Sequence, residues 1–439
     1  MFFEKETVLS NLYDSHVHWL ATGQVGTLWN LKTIEDPRDL LISNPPRSYF
    51  QGPWLVGFGW DENRWPVDFR VHRSFLDQAF PETPVFLSRA DGHSSWVNTI
   101  GLKKLGYWDL AEFPRDVELD QEGLPTGVLR ESAHIHGLFS LPPISREEKR
   151  HHLIRGAEIF NEAGFTHIRD MTSNLEQWQL HREIQSDLLL HVEHWFSCEN
   201  LQDFSRALQE AIEARRQESD RMKVRGIKIF VDGSLGSETA FLSQPYSGQN
   251  QKGQLNWGLQ EISEVFKSCW QKGFEVALHT LGDEAVHQVA LLARKLYAEG
   301  FSGRFHLEHA EVLRPETLQV LKSVHVRCHL QPCHWFSDQK WLKERLGSLS
   351  RYAFPWQALS RARIPISFGS DSPIESSSLF TNLQALKDSV KAGIPALEES
   401  PMIFHQYPHQ DAPQKATTTI REDRITKIQF GEQIRLYSS

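Results

Sequence analysis

From about residue 145 onward, short apolar runs alternate with longer amphipathic stretches, and few folds accept that rhythm over so many repeats. The strand-like runs are 165–170 (FTHIRD), 188–196 (LLLHVEHWF), 225–231 (RGIKIFV), 274–280 (FEVALHT), 304–310 (RFHLEHA), 325–332 (HVRCHLQP) and 364–371 (IPISFGSD), and a further run over 8–18 makes eight. Between them, near 146–163, 199–219, 259–272, 283–299, 314–323 and 378–392, apolar residues recur at helical spacing, as in Val286, Val289, Leu292 and Leu296. Strands alternating with helices build a parallel sheet, and eight such units are the count of an α/β (β/α)8 TIM-type barrel.

The stretch 20–144 breaks the rhythm. It is rich in Pro, Gly and Trp, carries strand-like runs at 54–59 (WLVGFG) and 84–89 (PVFLSR), and is too long for a plain loop. The expectation is a subdomain inserted after the first strand, over the active-site mouth. The chain then divides into a barrel of 1–19 and 145–394, an inserted subdomain of 20–144 and a short tail of 395–439. In the tail, the polar stretch HQYPHQDAPQ precedes TKIQF and QIRLY, whose alternation suits a small hairpin.

Composition narrows the function class. Over 439 residues the net charge is -9, and no basic block interrupts the chain, so a nucleic-acid surface is not expected and a small molecule is the default partner. Cys198, Cys269, Cys328 and Cys333 are scattered through apolar segments without metal-knuckle spacing, which suits reduced, buried thiols. The N-terminus lacks a basic and then apolar leader, and no run approaches membrane-spanning length, so a cytoplasmic protein that does not engage membranes is expected.

Chemistry gathers at the strand ends, which in a barrel converge on one mouth. His16 and His18 close the first run; residues two apart on a strand point to the same side, so the HxH aims two imidazoles at one point. Lys228 sits between Ile227 and Ile229, where a bare ammonium is costly to bury and needs a partner or a modification. His279 and His309 end the fifth and sixth strands, and each taken alone reads equally as a satisfied half-buried side chain. Asp371, in Gly-Ser-Asp-Ser-Pro, taken alone reads as a turn or helix-cap aspartate. The order HxH, Lys, His, His, Asp over successive strands is harder to attribute to chance.

With these residues the chain resembles the amidohydrolase superfamily of metal-dependent hydrolases, in the branch that includes N-substituted formamide deformylase. The resemblance runs from about 12 to 392 and rests on DSHVH (14–18), GFGWD (57–61), PVFLSRADGHSSWVNTIGLKKLG (84–106), KIFVDGSLGS (228–237), HTLGDEAV (279–286), LEHAEVL (307–313) and FGSDSPIE (368–375). It implies that His16, His18 and Asp371 hold one divalent ion, that His279 and His309 hold a second, and that Lys228, carboxylated to a carbamate, bridges them. One or two zinc ions are expected, although manganese, iron and nickel accept the same ligand types.

The implied reaction is hydrolysis of a non-peptide C–N bond (amide, formamide or cyclic amide) by a metal-activated hydroxide, with Asp371 and Lys228 as the catalytic pair. Asp91 and His93 in DGH, Trp60 and Asp61 in GWD, and Asp232 and Ser234 in DGSLGS are the expected substrate contacts; packing competes as the role of the first four. Family members commonly carry a small β-sandwich, yet only about fifteen residues precede His16 and the tail is short. The sandwich is therefore expected to be reduced or absent, which also bears on a possible homo-oligomer. Glu238 and His306 stand where basic residues are usual, changes that could alter the charge of the pocket. Two alternatives remain at this level: a deaminase or isomerase on the same scaffold, which the bridging lysine disfavours, and a non-catalytic assembly protein, which the complete ligand set disfavours.

Overall fold

The structure, a computed structural model, describes residues 2–42, 44–66, 68–109, 116–408 and 416–437. The chain divides into two compact units, Met1–Gly23 with Lys149–Ser439, and Gln24–Glu148. At the centre of the first unit is an eight-stranded parallel sheet whose spatial order follows the chain: Tyr13–Val17, His167–Ser173, His191–Ser197, Met222–Phe230, Glu275–Thr280, Phe305–His309, Val326–Leu330 and Ile366–Phe368. A parallel bridge between Val17 and Ser372 joins first strand to last. The fold is a (β/α)8 barrel.

The run over 8–18 is two strands rather than one. Asn11 takes a left-handed φ of 48°, a conformation that asparagine tolerates better than most residues, and it ends the strand Thr7–Ser10. Its amide donates to the Ala416 carbonyl and its side-chain oxygen accepts from the Ala416 amide, each at 2.9 Å. Thr7–Ser10 thus pairs with Ala416–Arg421, which continues through Arg424–Phe430 and Gln433–Leu436 as one antiparallel sheet. Among the described residues the expected sandwich is reduced to this four-stranded sheet, and the TKIQF and QIRLY segments are its last hairpin. Ala416, Thr418, Ile420, Ile428 and Phe430 are its buried row. Residues 409–415, in the polar stretch before it, lie outside the described residues.

The helices around the barrel bury the faces their periodicity marks. Asp283–Ala298 buries Val286, Val289, Ala293 and Leu296, and Leu259–Gln271 buries Ile262, Val265, Phe266 and Cys269. The Glu261 side chain accepts from the Gly258 amide at 2.7 Å, satisfying a donor that the start of that helix leaves open. All four cysteines are reduced and buried, as expected. No helix among the described residues is long and apolar enough to cross a membrane.

The seam of the barrel depends on Gly369. A Cβ there would lie 2.5 Å from the His16 amide nitrogen and 2.9 Å from the His16 Cβ, so the first and last strands can meet only over a glycine. We expect Gly369→Ala to push His16 out of line and to cost about 1–3 kcal/mol, as overpacking typically does. Thermal denaturation of the purified variant checks this; an unchanged midpoint would show that the seam tolerates a methyl group.

The second unit has a mixed sheet of its own, in the order Trp29–Asn30, Trp54–Trp60, Val85–Arg89, Ser94–Val97, Pro125–Arg130 and Val117–Leu119, with Phe50–Gln51 paired to Trp54–Trp60. Its core is aromatic: Trp60 stacks on Trp65, and both rings approach Trp96.

Candidate metal centre

Two rings converge on one carboxylate oxygen. His16 Nε2 lies 3.3 Å and His18 Nε2 3.1 Å from Asp371 Oδ1, the arrangement that the HxH spacing predicts. Asp371 sits just past the last strand with a left-handed φ of 58°, and its amide donates to the His16 carbonyl at 2.8 Å. A non-glycine residue in that region is strained, and such strain collects where a side chain must be aimed. The helix that follows is capped by Ser378, whose side chain accepts from the Thr381 amide, so Asp371 is not a helix cap.

The partners of His16 decide which of its nitrogens faces Asp371. His16 Nδ1 lies 2.6 Å from Glu308 Oε2, and Arg169 reaches both oxygens of that buried carboxylate, so Glu308 stays ionised. Burial alone would raise the Glu308 pKa; Arg169, with His329 and His16, holds it well below the carboxylate norm. A carboxylate only accepts, so Nδ1 turns its N–H to Glu308 and Nε2 is the ring nitrogen that faces Asp371 Oδ1. Among the described residues, His16 Nε2, Asp371 Oδ1 and Lys228 Nζ are all buried without a hydrogen-bond partner. A divalent ion suits this set: His16, His18 and Asp371 offer donor atoms within 4.8 Å of one another, two imidazole nitrogens and a carboxylate oxygen.

Lys228 lies on the fourth strand, fully buried, with Nζ 4.1 Å from the Phe230 ring centroid. Burial pushes its pKa down to about 8, against the pull of Glu308 and Asp371. His279 ends the fifth strand, where its Nε2 lies 3.3 Å from the Gly233 carbonyl. His309 ends the sixth with a left-handed φ of 72° and places its Nδ1 2.9 Å from Gln331 Oε1. The His309 ring centroid is 4.7 Å from those of both His16 and His279, so all six expected ligands gather at one end of the barrel.

The structure adds two residues that strand-end reasoning missed. His334, on the short helix Pro332–Asp338, lies with Nε2 3.3 Å from Asp371 Oδ2 and Nδ1 2.7 Å from Glu311 Oε1. Burial disfavours a charged imidazole there, but the two carboxylates outweigh it and raise the His334 pKa well above the histidine norm. His309, Glu311 and His334 form a second group whose donor atoms lie within 4.8 Å of one another. The only sequence signal was the second acidic residue of LEHAE, two positions beyond His309.

The expected substrate contacts have their own surroundings. Asp232 accepts from the amides of Leu281, Gly282 and Phe241 at 2.9–3.0 Å, which ties the loop after the lysine strand to the end of the fifth strand. Ser234 Oγ accepts from the Ser237 amide inside the same loop. Trp60 is packed in the core of the second unit and donates to the Leu87 carbonyl at 2.7 Å. In that unit Arg89 binds Asp61, Glu62 and Asp91, and His93 Nδ1 lies 3.1 Å from Glu131. Glu238 lies 3.6 Å from Arg345. His306 faces Glu275 at 2.6 Å near the starts of their strands, the end of the barrel away from the metal ligands, so it does not set the charge at the centre.

A family model described as the amidohydrolase family matches residues 6–397. The chain belongs to the amidohydrolase family. Hydrolysis is the activity that this membership supports. This amidohydrolase is 28% identical over 371 residues to the putative amidohydrolase YtcJ of Bacillus subtilis (strain 168), covering 82% of this chain and 69% of that protein. It is 25% identical over 396 residues to the protein LONG AFTER FAR-RED 3 of Arabidopsis thaliana, covering 84% and 67%. N-substituted formamide deformylase of Arthrobacter pascens is 23% identical over 273 residues, covering 58% of this chain and 49% of that enzyme. Among solved structures, an uncharacterized metal-dependent hydrolase from Pyrococcus horikoshii OT3 superimposes with a TM-score of 0.68 at 23% identity, covering 89% of this chain and 76% of that one. At that identity the likeness bears on the fold alone.

Proposed function

We propose that this amidohydrolase is a metal-dependent hydrolase of a C–N bond outside peptides, in an amide, formamide or cyclic amide. The observation that carries the reading is the pair of imidazole Nε2 atoms aimed at one oxygen of Asp371 beside the buried Lys228. Kinship with an N-substituted formamide deformylase supports the bond type.

In this reading His16, His18 and Asp371 would hold one ion, and His279 and His309 would hold a second. Lys228 would serve both as a carbamate: burial favours its neutral amine, which attacks carbon dioxide, forms the N–C bond and gives up a proton. A divalent ion at this place would bring the pKa of a water from about 15.7 to about 7 and polarise the scissile carbonyl. Asp371 takes a proton from the attacking water and delivers it to the leaving nitrogen, which departs as a neutral amine. His334, between Asp371 Oδ2 and Glu311, fixes the carboxylate so that Oδ1 faces the histidines.

The test is metal analysis of the purified chain combined with turnover of a panel of N-substituted formamides, N-acyl amino acids and cyclic imides. At least one equivalent of metal is expected, with hydrolysis of one class lost on chelation and restored by zinc or manganese. A chain that binds no divalent metal, or hydrolyses none of the panel when loaded, would refute the reading.

A further inference from the structure

Glu308 lies on the sixth barrel strand, one residue before His309. Its neighbours Phe305 and Leu307 pack into the core shared with the surrounding helices, so the alternating row of His306 and Glu308 points into the barrel. There Glu308 is fully buried and meets Arg169, which crosses from the second strand. Arg169 Nη1 lies 2.8 and 2.9 Å from the two Glu308 oxygens and donates to the Ser15 carbonyl at 3.1 Å. The guanidinium also covers the Trp195 ring, 4.2 Å from its centroid. The shortest contact of Glu308 is the one of 2.6 Å from Oε2 to His16 Nδ1.

Stability alone is a poor reason for this pair. Taking two charges out of water costs about as much as their attraction returns, and apolar residues of similar volume often replace such a pair without loss. The contact with His16 offers a better one. An imidazole that ligates a metal through one nitrogen is commonly oriented by a carboxylate accepting from the other, which selects the tautomer and strengthens the donor.

We propose that Glu308, held in place by Arg169, is the positioning residue that sets the ring orientation and the Nδ1–H tautomer of His16, and through them the metal affinity of the centre. Arg169 fixes the carboxylate from one side, and Glu308 fixes the imidazole from the other. Nε2 is left directed at Asp371 Oδ1. The chain of contacts therefore runs from the second strand through the sixth to the first.

The role rests on the reading of His16 as a metal ligand, and the experiment separates the two. Two full-length double variants, each free of unpaired buried charge, are compared with wild type: Arg169→Met with Glu308→Gln, which keeps an acceptor for Nδ1–H, and Arg169→Met with Glu308→Leu, which removes it. Zinc affinity is measured by chelator competition, and the melting temperature of each metal-free protein reports on the fold. The Leu variant should bind zinc about 10–100-fold more weakly than wild type, and the Gln variant, which keeps the acceptor but not the guanidinium that holds it, should fall between the two. Equal affinities for the two variants would overturn the proposal. A second measurement reads the wild-type ring directly: histidine 15N NMR of the zinc-loaded protein, with His16 assigned by substitution, should show a protonated Nδ1 and zinc on Nε2. The opposite tautomer would overturn the proposal as well. If His16→Ala itself retained full metal, the reading of His16 as a ligand would fail instead.

Discussion

Replacing His16 with alanine should strip the chain of metal and of activity together. The Nε2 of His16 is one of three donors around a single point, and the other two cannot hold a divalent ion well by themselves. Without the ion, a water at neutral pH is deprotonated roughly eight orders of magnitude less often, and turnover should fall below detection. Lys228→Ala should behave alike, because the carbamate is proposed to supply ligand oxygens to both ions. Elemental analysis of the dialysed variants checks the outcome. Stoichiometric metal in both would dismantle the assigned centre, whereas retention in Lys228→Ala alone would remove only the bridge.

Asp371→Asn should separate catalysis from folding. Asparagine preserves the volume and one oxygen at the position where His16, His18 and His334 converge, but it gives up the charge and the proton-accepting capacity. Asp371 is well placed to act: it is buried, with Oδ1 3.3 Å from His16 and 3.1 Å from His18 and Oδ2 3.3 Å from His334. Loss of general acid–base function typically costs about 10²–10⁴ in rate, and kcat should fall by that much in variant protein reloaded with metal. KM should move far less, since Asp371 acts on the proton rather than on substrate binding. A fall in kcat of less than tenfold at full metal occupancy would assign the proton transfer to another group, with His334 the first to examine.

The barrel was legible because its strands are covered on both sides, so each reads as a compact apolar run bounded by turns. The break at Asn11 was not. Apolar pairs flank it on both sides, Val8 and Leu9 before and Leu12 and Tyr13 after, and the left-handed turn depends on pairing with Ala416 at the far end of the chain. The helix Leu175–Ile184 was missed for a different reason: its buried face includes Gln177, Trp178 and His181, so polarity hides the period. Gln177 donates to Asp170 and His181 meets His194, contacts that satisfy buried polar groups but leave no apolar stripe to read.

At the centre the same division holds. His16, His18, Lys228, His279, His309 and Asp371 could be nominated because strand ends of a barrel share one mouth. His334 and Glu311 had no such address, since they lie beyond the strand ends and matter only through their contact with Asp371. Glu308 and Arg169 are charged residues inside strands, and period-two alternation places them inward without saying what they meet there.

What the sequence determined by itself was the repeat, and with it the barrel and the kinds of donor gathered at its mouth. These follow from short-range periodicity: two residues along a strand return a side chain to the same face, and one βα unit returns the chain to the same end of the sheet. The tertiary structure alone decided which atoms meet. That Glu308 faces Nδ1 of His16 and Asp371 faces Nε2 is set by strands far apart in the chain. Hydrogen bonds and metal ligation respond to ångströms and to the position of single protons, which no spacing along one strand can specify.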